Sequence, residues 1–200
     1  AAHDVQRVVL TSSFAAVGYS DKPSGLPYDE SDWTDATQPN SPYVLSKTLA
    51  ERAAWEFAAA HPGAPELTVI NPVGVFGPVL GPKLSSSVGI IAMLLNGSPS
   101  PLPRASFAVV DVRDVADLHI RGMPAAHATG QRYLACVGAA VTRPEIAATL
   151  RGRLGDRAAR IPTAEASDDE VRATARQRPE MALFAGLLGD GRHGAWRLGP

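Results

Sequence analysis

The sequence predicts an α/β fold built on a parallel sheet with helical crossovers. Three observations carry that expectation. Short apolar runs of strand length recur along the chain, and longer stretches headed by helix-start residues lie between them, the alternation that brings successive strands into parallel pairing. The first run, residues 7–12, is apolar through its centre, as in a strand covered by helices on both faces. Ser41-Pro42, Thr142-Arg143-Pro144-Glu145 and Ser167-Asp168-Asp169-Glu170 each have the composition of a helix head.

The first strand, 7–12, runs into Thr11-Ser12-Ser13. A long loop follows to Asn40, carrying Pro23, Gly25, Pro27 and Pro39, and connections of that length are usually functional or disordered. Ser41 caps, and Pro42 enters the first turn of, a helix that reaches about residue 61, where Pro62-Gly63 stops it. Residues 67–71 form the next strand, and a Pro/Gly-rich loop leads to Leu84. A helix over 85–95 ends at Asn96-Gly97, and 107–110 is a short strand. Asp111 caps a helix over 115–123, and 131–136 is again strand-like. Two capping boxes, in which each end satisfies the other's orphan backbone donor, start helices over 144–154 and 168–177. Residues 179–188 read as helical and 189–200 as irregular.

Composition excludes several classes of function. Two hundred residues, 45% of them apolar, can bury a substantial core, and a formal charge of −1 gives no global attraction to nucleic acid or membrane. No apolar run approaches the roughly 18 residues of a spanning helix, and the first residues lack the order of a signal peptide. The expected location is cytoplasmic. Cys136 has no internal partner and reads as a buried small hydrophobe. The five histidines have no spacing that would gather them on a metal. Arg151, Arg153, Arg157 and Arg160 lack interleaved aromatics and read as a solvated helix face. Trp33, Trp55 and Phe57 read as packing residues.

Chemistry enters with Tyr43 and Lys47. They stand four apart in Ser41-Pro42-Tyr43-Val44-Leu45-Ser46-Lys47, so one helix face would bring them together. A phenol has an unperturbed pKa of about 10 and is a poor proton carrier near neutrality, but a neighbouring ammonium favours the phenolate and lowers that value. Ser13, at the strand end about thirty residues earlier, could hold a substrate oxygen beside the phenol. The bland alternative is a partly buried phenol, a solvated lysine and a serine that merely ends a strand.

Around these residues the chain resembles the extended short-chain dehydrogenase/reductase family, within the NAD-dependent epimerase/dehydratase superfamily. Four segments in order carry the likeness to its aldehyde and dihydroflavonol reductase branch. They are Val8-Val9-Leu10-Thr11-Ser12-Ser13, Tyr28-Asp29-Glu30-Ser31-Asp32-Trp33, the run from Tyr43 through Lys47 to Trp55, and Asn71-Pro72-Val73-Gly74-Val75-Phe76-Gly77-Pro78. The resemblance implies a doubly wound, Rossmann-type parallel sheet with a small, mostly helical substrate-binding region. Residues 1–72 and 107–136 would form part of the dinucleotide-binding domain, and 73–106 and 137–200 the interleaved substrate region.

By the same resemblance, Tyr43 passes a proton to or from the substrate oxygen, Lys47 binds the nicotinamide ribose and depresses the phenol pKa, and Ser13 polarises the carbonyl. Thr11, Ser12, Pro72, Val73, Gly74 and Val75 would lie on the cofactor side, with Ser12 chiefly supporting the strand end. Phe14 and Phe76 would wall the substrate. The cofactor would be NADP or NAD, with NADP favoured, and the substrate a small carbonyl or alcohol. Gly18, where plant flavonoid reductases carry a polar contact, points to a small aldehyde.

The family's glycine-rich turn and the helix it opens, which bind the pyrophosphate, find no match. Gly74 to Gly81 is a decoy, since Pro78 and Pro82 interrupt it and Pro inside a helix costs about 3 kcal/mol. The expectation is therefore a C-terminal part of a reductase, without on the order of 100 residues of strand-helix-strand units. Residues 7–12 would then offer an unpaired edge prone to homodimerisation or self-association, and neither dinucleotide would bind the isolated chain. Two alternatives stay open: a sugar-nucleotide epimerase or dehydratase, and a catalytically silent fragment.

Overall fold

The computed structural model describes residues 4–20, 22 and 26–177; the readings made for 179–188 and 189–200 lie outside them. The described residues divide into two compact units, one comprising those up to Val75 with Val110–Val137, the other Phe76–Val109 with 138–177.

In the first unit three parallel strands, β1 (Arg7–Thr11), β2 (Glu66–Pro72) and β5 (Arg132–Ala135), form a sheet in the order β1-β2-β5. Leu10 pairs with Val69, and Asn71 with Leu134. Helix α1 (Pro42–Ala60) makes the crossover from β1 to β2 and packs on β2; α3 (Val112–Gly122) leads back toward β5 and packs on β2 and β5. Pleat alternation assigns the faces. Val9, Ile70, Val115 and Leu118 share one apolar cluster on the α3 side, whereas Ser12 and Asn71 reach Glu51 of α1 on the other. Strand β2 is buried along nearly its whole length, as its continuous apolar run requires. Among the described residues β1 pairs on one side only, and Val8 is 42% exposed.

The second unit is held by an apolar cluster of Leu94, Leu102, Ala147, Ala158 and Ile161, drawn from α2 (Ser86–Leu95), α4 (Arg143–Leu154) and their flanking turns. Main-chain bonds of 2.8 Å from Leu102 to Ala164 and from Ala166 to Leu102 close it. Strands β3 (Gly74–Phe76), β4 (Ser106–Asp111) and β6 (Val137–Thr142) make a second sheet in the order β3-β4-β6. Helix α5 (Asp168–Gln177) is the last described element.

The caps decide where helices start. Ser41 accepts the Val44 amide, and Thr142 with Glu145, and Ser167 with Glu170, form reciprocal boxes. Four expectations are corrected. Helix α3 begins at Val112, three residues early, because the Asp111 carboxylate already accepts the Arg113 amide at 2.8 Å. Phe57 is no core residue: it is 56% exposed and stacks on His61 at 4.2 Å. Cys136 lies just beyond β5 and is only half-buried, and burial, followed by the Glu30 charge, pushes its thiol up to about 11. Residues 73–76 and 137–142, read as loop or left unassigned, include strands β3 and β6. Their shortness, their Pro and Gly flanks and the small side chains of Val137-Gly138-Ala139-Ala140 conceal the period-2 pattern.

Candidate active site

Ser13 leaves β1 in extended backbone and caps a 3₁₀ turn, Phe14–Ala16, so its position is set by both elements. Its hydroxyl accepts the Ala15 amide at 3.1 Å and its carbonyl accepts the Ala16 amide at 2.9 Å. The turn is fastened in turn by buried hydroxyls, since Thr34 and Thr48 both donate to the Ala15 carbonyl, at 2.8 and 3.3 Å. Because the Ser13 oxygen already accepts a proton from the main chain, its own hydrogen is free to point outward.

The Ser13 hydroxyl lies beside α1. Tyr43 stands in the first turn there, 56% exposed, with its phenolic oxygen 3.4 Å from the Ser13 hydroxyl. That contact is long, of the kind that tightens when a reacting oxygen is held by both groups. Lys47, one turn on, holds its ammonium 6.0 Å from the centre of the Tyr43 ring, and no ion pair engages it among the described residues. Two hydroxyls and an ammonium thus lie close together on the first unit. Burial first, and the charge of Tyr43 second, push the Tyr19 phenol up to about 12.

The remaining sequence-predicted residues fall into three groups. Thr11 and Ser12 are engaged with protein groups: Thr11 meets Nε2 of His119 at 2.7 Å, and Ser12 donates to Glu51. Pro72 ends β2, and Val73 and Val75 pack against the Ile70 cluster, with the Val73 amide directed to the Ala135 carbonyl at 3.3 Å. Gly74 opens β3, and no helix begins until Ser86, so the Gly74 to Gly81 run opens no helix. Phe14 is 3% exposed, edge-on to Tyr28 at 5.9 Å and beside Tyr19. Phe76 stacks on Phe107 at 6.1 Å within the second unit.

Sequence reasoning missed a buried polar layer behind Ser13. Glu51, Asn71 and Arg132 meet there, with an Arg132 Nε to Glu51 Oε1 contact of 2.6 Å. Two signals pointed to it: Glu51 continues the Tyr43, Lys47 spacing by another four residues, and Asn71 interrupts an apolar strand.

Residues 1–136 match the NAD dependent epimerase/dehydratase family. The chain is 44% identical over 135 residues to cinnamoyl-CoA reductase CAD2 of Medicago truncatula, covering 65% of this chain and 40% of that protein. It is 38% identical over 150 residues to the NADPH-dependent methylglyoxal reductase GRE2 of Saccharomyces cerevisiae, covering 67% and 44%. The crystal structure of yeast methylglyoxal/isovaleraldehyde reductase Gre2 complexed with NADPH superposes with a TM-score of 0.70 at 30% identity, over 80% of this chain and 52% of that one. The chain thus spans less than half the length of the two curated relatives.

Proposed function

The chain belongs to the NAD dependent epimerase/dehydratase family, and from that premise we propose that it carries the proton-transfer site of an NADPH-dependent reductase of small aldehydes and ketones. The observation behind this reading is the approach of Ser13 and Tyr43 hydroxyls to 3.4 Å on an open face with Lys47 beside the phenol. NADPH is favoured because yeast Gre2 binds it and two methylglyoxal reductases with similar sequences are named for it; when bound, it supplies the hydride.

The protein's own residues do the rest. The Ser13 hydroxyl, its oxygen satisfied by Ala15, donates to the carbonyl oxygen and polarises it. Tyr43 delivers a proton to that oxygen as negative charge develops there. The Lys47 ammonium offers donors to the ribose hydroxyls. Small substrates are favoured over flavonoids by residue 18. A Cβ there would lie 2.1 Å from Cζ of Phe14, so no polar side chain can project from it while Phe14 keeps its place.

Tyr43→Phe tests the assignment. Reduction of a small aldehyde, followed as NADPH oxidation, should fall about 10²- to 10⁴-fold while NADPH affinity stays nearly unchanged. A variant keeping more than about a tenth of the wild-type kcat would remove Tyr43 from the reaction, since loss of an acid or base costs far more. The second reading is a chain that keeps the site without holding a dinucleotide. Calorimetric titration with NADPH and NADH, beside sedimentation, separates the two: saturable binding by a monomer supports the reductase, and no binding by a self-associated chain supports the silent form.

A further inference from the structure

Glu51 stands eight residues after Tyr43 on α1, two turns along the face that carries Lys47, yet it is only 1% exposed. Its carboxylate collects four donors. Oε2 accepts the Ser12 hydroxyl and the Asn71 amide, the latter at 2.6 Å; Oε1 accepts Nε of Arg132 at 2.6 Å and the Trp55 indole at 3.4 Å. The Asn71 amide also donates to the Ser13 carbonyl at 3.1 Å. With both its acceptors so placed, the amide has one orientation, because the flipped form would turn an oxygen toward a carboxylate and a carbonyl. Arg132 continues outward: its Nη1 donates to the Glu30 and Asp32 carbonyls at 2.9 and 2.6 Å, and its guanidinium lies 3.8 Å from the centre of the Trp33 ring.

We propose that Glu51 and Asn71 are positioning residues, which set the Ser13 hydroxyl against the Tyr43 phenol by joining the helix that bears the phenol to the strand end that bears the serine. Arg132 holds the Glu51 carboxylate in place, and ties the loop at 30–33 to the same joint. The separation of the two hydroxyls is then fixed by a hydrogen-bonded path, α1 to Glu51 to Asn71 to the Ser13 carbonyl, rather than by apolar contact, which tolerates sliding. The link to catalysis rests on the reductase reading above; the link to the placement of Ser13 does not.

The test is amide hydrogen exchange on the whole chain, with no dinucleotide present. Glu51→Gln keeps the shape but turns one acceptor into a donor, so either Arg132 or the Ser12–Asn71 pair loses its partner. Asn71→Leu removes the tie to Ser13 and leaves the Glu51–Arg132 pair intact. In each folded variant the Ala15 and Ala16 amides, which bond to Ser13, should exchange at least about tenfold faster, while the Val69 amide in the sheet keeps its protection. In the reductase assay kcat should fall more than the KM for the carbonyl rises.

Unchanged exchange at Ala15 and Ala16 in a folded Asn71→Leu chain would overturn the proposal. Failure of both variants to fold would also overturn it, by making the network a requirement for folding rather than a device for placement. A wild-type chain that exchanges as expected but never oxidises NADPH would instead count against the reductase reading alone.

Discussion

The two compact units are stabilised by different chemistry. Among the described residues the first buries Ser12, Thr34, Thr48, Glu51, Thr68 and Asn71, whereas the second buries Arg143 beside an otherwise apolar core. Burying a polar group costs stability unless it is bonded, and a buried ion pair seldom outperforms well-packed hydrocarbon. A core meant only for stability would resemble the second unit. The first accepts directional, easily broken contacts, and those from Ser12, Thr34, Thr48, Glu51 and Asn71 converge on the strand end and turn that carry Ser13. Directional bonds fix position where apolar packing fixes only proximity.

That contrast can be broken most sharply at Arg132. Arg132→Met leaves Glu51 buried without its cation, which should cost about 3–5 kcal/mol, read from urea unfolding. Pairing it with Glu51→Leu should return most of that stability, as replacement of whole buried pairs by apolar residues commonly does, yet leave the Ala15 and Ala16 amides exchanging fast. A double variant as unstable as the single one would show that the layer is needed for stability as such.

In the second unit the matching cut is Leu102→Ala. Leu102 is 1% exposed within the Leu94, Ile161 cluster, so truncation should cost about 2–5 kcal/mol, measured in the same way. Here the amides of Ala15 and Ala16 should keep wild-type exchange. Acceleration there would mean that placement of Ser13 depends on packing in both units.

How far the sequence alone reaches follows the same division. Local signals were readable: Ser41-Pro42 opens α1, Tyr43 and Lys47 share its face, and both capping boxes form as written. The polar layer was legible only as two separate hints, the Glu51 spacing and the Asn71 interruption of a strand, because its members are joined only by the fold. Glu51 and Arg132 are 81 residues apart, and a glutamate in Ala50-Glu51-Arg52 has the composition of a solvated helix surface. The surroundings of Phe14 were hidden for the same reason, since only tertiary structure brings Tyr19 and Tyr28 around its ring.

A smaller effect is expected where backbone meets ring. With a Cβ at residue 18 placed 2.1 and 2.3 Å from Cζ and Cε1 of Phe14, Gly18→Ala forces that ring to move and should cost about 1–3 kcal/mol, as overpacking does. Adding Phe14→Leu should relieve it. If the double variant is no more stable than Gly18→Ala alone, the backbone at Gly18, rather than the ring, excludes a side chain.

The smallest effect concerns Asp111, which opens α3 in the first unit as Glu145 helps to open α4 in the second. Its carboxyl is held down to about 2, first by the Arg113 guanidinium at 2.6 and 2.8 Å and then by the Arg113 amide. An unperturbed aspartate titrates at about 3.9, so the folded value lies below the unfolded one. The stabilisation is therefore complete above about pH 4 and disappears as the pH falls toward 2. Asn caps about as well as Asp but carries no charge for Arg113 and does not titrate. Wild type should accordingly be slightly more stable than Asp111→Asn at pH 6, with the difference closing between pH 4 and pH 2 in thermal melts of the two proteins. High salt should narrow the gap at pH 6 as well, because the pair is exposed and screened. A gap independent of both pH and salt would assign the cap to hydrogen bonding alone and remove charge from the account of how α3 begins.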